Sequence, residues 1–99
     1  MRAVFQNARV TFYGSDGQTT TATSPQAVVD ETANTVTMLD GTQARANSGV
    51  ELLCRVLVFD RTTEMLHGTG DVTIIDPKGF RATGSSFDSD LSLTHMHMK

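Results

Sequence analysis

The chain holds one cysteine, two prolines and no tryptophan in 99 residues. A single Cys54 excludes an internal disulfide, so the fold must rest on packing and backbone hydrogen bonds. Lys and Arg number 8 against 11 Asp and Glu, and they are scattered, giving a net charge of -3. Nucleic-acid affinity rests on clustered cations, so nucleic acid is not expected as a partner. No apolar run approaches the roughly 18 residues of a membrane-spanning helix. The opening "MRAVFQNARV" has no apolar core of a signal peptide. These two absences fit a cytoplasmic protein, or the mature or truncated part of an exported one. Helix formers are scarce as well, and no stretch shows helical spacing of its apolar residues. With apolar residues at 38% of the chain, one small domain is the most that can be built.

What is present is alternation. Apolar residues recur with period two, and turn-forming groups recur every eight to twelve residues, which together predict an all-β protein. Val4, Ala8, Val10 and Phe12 share one face of the first strand, opposite Arg9, Thr11 and Tyr13. The glycines of "GSDG" (14–17) suit a turn. "QTTTATS" (18–24) reads as a polar strand that Pro25 marks as an edge or a bend. Short strands are expected at 26–29, 35–39 and 42–46. "VELLCRVLVF" (50–59) reads as one strand with Val50, Leu52, Cys54, Val56 and Val58 inward. Val72 and Ile74 share a face, "DPKG" (76–79) is a β-turn, and Phe80 and Ala82 alternate with Arg81 and Thr83. "SSFDSDLSLTHMHM" alternates around Leu91 and Leu93, with a bulge expected near Thr94.

Some of these phrases repeat. Val29-Asp30-Glu31-Thr32 overlies Phe59-Asp60-Arg61-Thr62 at an offset of 30, and Phe87-Asp88-Ser89-Asp90 continues the series at 28. Between them run "DGQTTTAT" (16–23), "DGTQARAN" (40–47) and "DPKGFRATG" (76–84). Recurrence of strand and turn at a near-fixed spacing signals a quasi-repetitive β architecture.

Three of these phrases, "VDETANTVTMLDGT" (29–42), "GVELLCRVLVFDRTTEMLHGTGDVTI" (49–74) and "GFRATGSSFDSDL" (79–91), taken in order, resemble the OstA-like lipopolysaccharide-transport proteins, the LptC branch more closely than LptA. The likeness runs over residues 8–94 and lies in the order and spacing of strand-and-turn phrases rather than in any one motif. It implies an open, twisted antiparallel β-jelly roll whose sheets enclose an apolar groove for the acyl chains of lipopolysaccharide. It also implies a periplasmic location, and partners in other OstA-like domains and an inner-membrane ABC transporter complex, joined by edge-strand addition. The LptC branch normally begins with a membrane anchor and carries a longer periplasmic domain. The expectation is therefore a fragment or compact relative that completes its groove as a homo-oligomer.

The residues expected to line that groove are Val10, Phe12, Val36, Met38, Leu52, Cys54, Val56, Val58, Val72, Ile74, Phe80, Phe87, Leu91 and Leu93. The same residue types would equally fill a closed core, as in a self-assembling β-solenoid scaffold that binds no ligand. No nucleophile–base pair stands out, so no catalytic residue and no cofactor is expected. Asp30, Asp60, Asp88 and Asp90 sit beside turn formers and read as turn residues. His95 and His97 share a side of a regular strand, but the sequence offers no third ligand, and His67 stands alone; no metal is expected.

Overall fold

The computed structural model describes residues 2–14, 17–90 and 96–99. Every regular element among them is a strand: β1 (Arg2–Tyr13), β2 (Thr19–Asp30), β3 (Thr35–Leu39), β4 (Thr42–Ala46), β5 (Glu51–Cys54), β6 (Val56–Asp60), β7 (Met65–Ile75), β8 (Arg81–Asp90) and β9 (Met96–Met98). They form one sheet in which every pairing is antiparallel. The protein is all-β, as the alternation predicts, and it fits the jelly-roll-like fold that the resemblance implies. Its connectivity is a meander, in which each long strand or bent strand pair lies beside the next.

In β1, Val4 stands exposed rather than inward with Ala8 and Phe12, and two further strands differ from the sequence reading in extent. β2 runs unbroken from Thr19 to Asp30 through Pro25, with no separate strand at 26–29. Proline has no N–H to give to a ladder. Here it lies opposite Asn7, in the gap between the pairs Gln6–Gln26 and Ala8–Ser24, and Asn7 takes a positive φ of 50°. The second correction is at Arg55, which divides "VELLCRVLVF" into β5 and β6. The Arg55 N–H is shared between the carbonyls of Thr69 and Gly70, and its own carbonyl accepts the Gly41 N–H at 3.0 Å. A ladder interrupted by one residue changes the parity of its side chains. Inward positions therefore pass from Leu52 and Cys54 to Leu57 and Phe59, leaving Val56 and Val58 half-buried on the other side.

Arg55 is one point on a kink that crosses the sheet. Asp40 and Gly41 interrupt the neighbouring strand pair β3/β4, with φ of 67° and 99°. Only glycine adopts the second value without strain. In β7 the kink is a bulge at Gly70 and Asp71, where the register with β8 shifts between Thr69 and Val72. The kink divides the sheet into two halves, one ending in the aspartate turns after β2 and β6, the other in the glycine turns before β2, β5 and β8.

Each kind of turn is built one way. In the aspartate turns the Asp30 carboxylate accepts the N–H groups of Thr32 and Ala33, both at 3.0 Å. The Asp60 carboxylate accepts those of Thr62 at 2.9 Å and Thr63 at 3.4 Å. The structural reading of both aspartates is borne out. In the glycine turns Gly14, Ala46 and Asp76 donate to the carbonyls of Gln18, Val50 and Phe80, and Gly17, Gly49 and Gly79 donate back to Gly14, Ala46 and Asp76. The register is equally regular: Val29 faces Val36, Phe59 faces Leu66, and Ser89 faces Met96, each pair at the same offset from the one before. The offset therefore stays at 30 in the third copy, rather than falling to 28. Phe87 looks like the counterpart of Phe59, but the ladder gives that position to Ser89.

The two halves fold face to face. The Phe12 ring, in the glycine-turn half of β1, contacts that of Phe59, in the aspartate-turn half, with centroids 4.5 Å apart. One cluster of buried residues joins both halves, including Ala22, Ala27, Met38, Ala44, Leu52, Leu57, Leu66, Val72, Ile74 and Phe87. The shortest dimension, 22 Å, suits two sheet layers, which pack about 10 Å apart. Small residues make this approach possible. The Phe87 ring lies over Gly68, where an added Cβ would come within 2.0 Å of it. Buried polar groups are matched: Ser24, Thr42 and Ser89 donate to the carbonyls of Gln26, Met38 and Asp90. Among the described residues no buried side-chain nitrogen or oxygen lacks a partner.

Candidate functional site: the apolar interior and its mouth

The expected groove residues separate into four groups. Phe12, Val36, Met38, Leu52, Cys54, Val72, Ile74 and Phe87 are buried together in the interior, and Val10 packs against them half-buried. Val56 and Val58 lie on the outer face of the aspartate-turn half for the parity reason given above. Phe80 is 75% exposed at the end of a glycine turn, and this corrects its inward assignment. Leu91 and Leu93 lie outside the described residues, as do the bulge near Thr94 and His95.

The sequence reading missed several inward residues. Leu57 and Phe59 were hidden by the parity change at Arg55. Ala22, Ala27, Ala44 and Ala46 are buried but small, so their alternation in "TATSPQA" and "QARA" carried a weak signal. Leu66, fully buried, follows from the repeat, since it holds the place of Val36 one unit further on.

The interior meets solvent where β1 passes β3 and β6. A hollow of about 290 Å³ there is lined by Val10, Thr11, Phe12, Tyr13, Val36, Phe59 and Arg61. Its inner wall is the Phe12–Phe59 contact, behind which the core is filled. Apolar side chains form the throat, with the threonine, tyrosine and arginine around them. That arrangement accepts a hydrocarbon chain inward and a polar group outward. A larger hollow, about 620 Å³, lies at the kink among Asn7, Arg9, Thr23, Pro25, Gln43 and Leu53, with Cys54 at its border. Its exposed lining is more apolar than polar, as is that of the smaller hollow.

Cys54 offers no reactive thiol. Burial raises its pKa to about 11, and its Sγ contacts the Val56 carbonyl at 3.4 Å. A thiol held neutral in this way is a poor nucleophile and packs as a small apolar group.

On the outer face of the aspartate-turn half, one row of paired residues crosses the sheet: Val4, Val28, Thr37, Val58, His67, Asp88 and His97. His67 Nδ1 lies 2.5 Å from Asp88 Oδ1, with both side chains about half exposed. In their present side-chain positions, no three His, Cys, Asp or Glu among the described residues are gathered so as to hold a metal ion. No helix among the described residues is long and apolar enough to cross a membrane.

No protein-family model matches the chain, and no curated protein matches it.

Proposed function

We propose that the protein is a lipid-binding carrier, taking the acyl chains of lipopolysaccharide between its two sheet halves and passing them on without chemistry. The observation that carries this reading is the apolar mouth at Val10, Phe12, Val36 and Phe59, which leads into an interior made wholly of apolar and hydrogen-bonded small polar side chains. Parting the Phe12–Phe59 contact would extend the hollow toward Met38 and Leu57. The resemblance of the strand-and-turn phrases to OstA-like proteins supports the same substrate and a periplasmic setting. The partners proposed with it are other OstA-like domains and an inner-membrane ABC transporter complex.

Edge-strand addition is the proposed mode of contact, both with those partners and between copies. Among the described residues β1 pairs only with β2, so its other edge offers N–H and C=O groups that no described strand pairs, and it exposes Val4, Phe5 and Tyr13. At the opposite side, among the described residues, β9 and Lys99 cover β8 from Ser85 to Ser89 and lie against Gly84, leaving Arg81–Thr83 open. In the preceding units the positions corresponding to Arg81–Thr83 are covered, by β4 and by the second half of β7.

The regular spacing of the units favours a second reading, a scaffold with a closed core whose copies add hairpin to hairpin. The antiparallel pairing distinguishes such an array from a solenoid of parallel rungs. One experiment separates the two. Native mass spectrometry of protein purified from a lipopolysaccharide-producing host should show a lipid A adduct, and Val10→Glu should remove it while leaving the circular dichroism unchanged. Lipid-free protein forming concentration-dependent filaments would reject the carrier reading in favour of the scaffold.

A further inference from the structure

We propose that His67, Asp88 and His97 form a site for one divalent transition-metal ion of the zinc class. The three come from different strands; register sets them in one row on the sheet, and as they stand their side chains converge on no common point. His67 on β7 faces Asp88 on β8, and Asp88 faces His97 on β9, so they stand side by side on one face. Two imidazole nitrogens and a carboxylate oxygen are a donor set suited to zinc, with water completing the coordination. Adjacent strands lie about 4.8 Å apart. An ion held above Asp88 is therefore one strand spacing from each histidine, a distance that an imidazole leaning inward covers. The carboxylate between them supplies the negative charge.

The side chains are open to this change. His67 and Asp88 are about half exposed, and His97 is exposed. At present His67 uses its Nδ1 on the Asp88 carboxylate. Binding would exchange that contact for two bonds to the ion and bring the His97 ring in from solvent. The ion would also have a structural effect. Among the described residues β9 is three residues long and pairs only with β8. A metal shared by β7, β8 and β9 would clamp that short strand across its neighbour. The site is independent of lipid binding and of the carrier reading.

Calorimetric titration of the intact chain with Zn²⁺, together with imidazole NMR, tests the site. The expected result is saturation at one ion per chain below about 0.1 mM, an affinity of more than about 5 kcal/mol. The His67 and His97 ring signals should move together. His67→Gln, Asp88→Asn and His97→Gln should each weaken binding at least tenfold, and His95→Gln less than threefold. Circular dichroism checks the fold of each variant, and the NMR of the parent stands if one fails to fold. Absence of binding up to 1 mM would overturn the site. So would movement of the His97 signal without that of His67, because the ion would then sit on the terminal histidine pair.

Discussion

Residues 31–60 and 61–90 are two copies of one plan with different fates. Both begin with an aspartate-capped turn, bend at a kink, reverse at a glycine turn and return. The carboxylate bonds of the aspartate turns and the backbone bonds of the glycine turns match, and the kinks fall at equivalent places, Asp40-Gly41 in the first and Gly70-Asp71 in the second. The core they present is not the same. Val50 and Leu52 are buried after the first glycine turn, whereas Phe80 and Ala82 are exposed after the second. The first return strand has neighbours on both sides, β4 and β7, while among the described residues the corresponding part of β8 has only β7. Local sequence sets the backbone path, and the neighbouring strand decides what is buried.

Charge substitution at equivalent positions should expose this difference most strongly. Leu52→Asp places an unpaired carboxylate in the core and should destabilise by several kcal/mol. Ala82→Asp, its counterpart, should stay within about 0.5 kcal/mol. Urea unfolding measures both, and similar losses in the two would break the comparison.

The next effect concerns how each copy fills its interior. In the first, Met38 lies beside Leu57; in the second, Gly68 lies beside Phe87. Bulk has moved from one strand to the other. Gly68→Met alone collides with the Phe87 ring and should destabilise by roughly 1–3 kcal/mol. The double variant Gly68→Met, Phe87→Leu copies the first unit and should recover more than half of that loss. No recovery in a double-mutant cycle would mean that the two units do not pack by a common scheme.

A smaller difference lies in the aspartate turns. Asn34 and Glu64 end them with φ of 59° and 57°. The left-handed region is strained for most side chains and tolerated by asparagine. Asn34 also donates to the Thr62 hydroxyl at 2.9 Å, which links the two turns, and its carbonyl accepts the Arg61 N–H. Glu64→Asn should stabilise by up to about 1 kcal/mol. Urea unfolding at equal m-value would register the gain, and a loss would show that the glutamate side chain has a role of its own.

The smallest expected effect is a dependence on acid. The Asp30 carboxylate is held below its ordinary value of 3.8, first by the Ala33 N–H, against desolvation, and also by the Thr32 N–H. A carboxyl whose pKa is lowered by folding contributes stability above its unfolded value and loses it as pH falls through the lower folded value. Parent and Asp30→Asn should therefore differ at neutral pH and converge below about pH 4, near the reference carboxylate value. A difference that persists unchanged to pH 2 would assign the effect to shape rather than charge.

The sequence by itself determined the local grammar. Period-two alternation made the chain all-β, aspartates beside Thr and Ala made one set of turns, and glycines made the other. These are short-range effects, written in neighbouring residues. Tertiary structure decided the facing of individual residues, because one interrupted ladder position at Arg55 exchanged Val56 and Val58 for Leu57 and Phe59. It decided that the third copy keeps the offset of the first two, since register is fixed by partner strands and Phe87 only imitates Phe59. It also set His67 and Asp88 beside His97, residues far apart in the chain whose adjacency no local pattern encodes. Backbone conformation is chosen over a few residues, whereas burial and side-chain neighbourhood are properties of pairing between distant strands, and only the folded sheet specifies them.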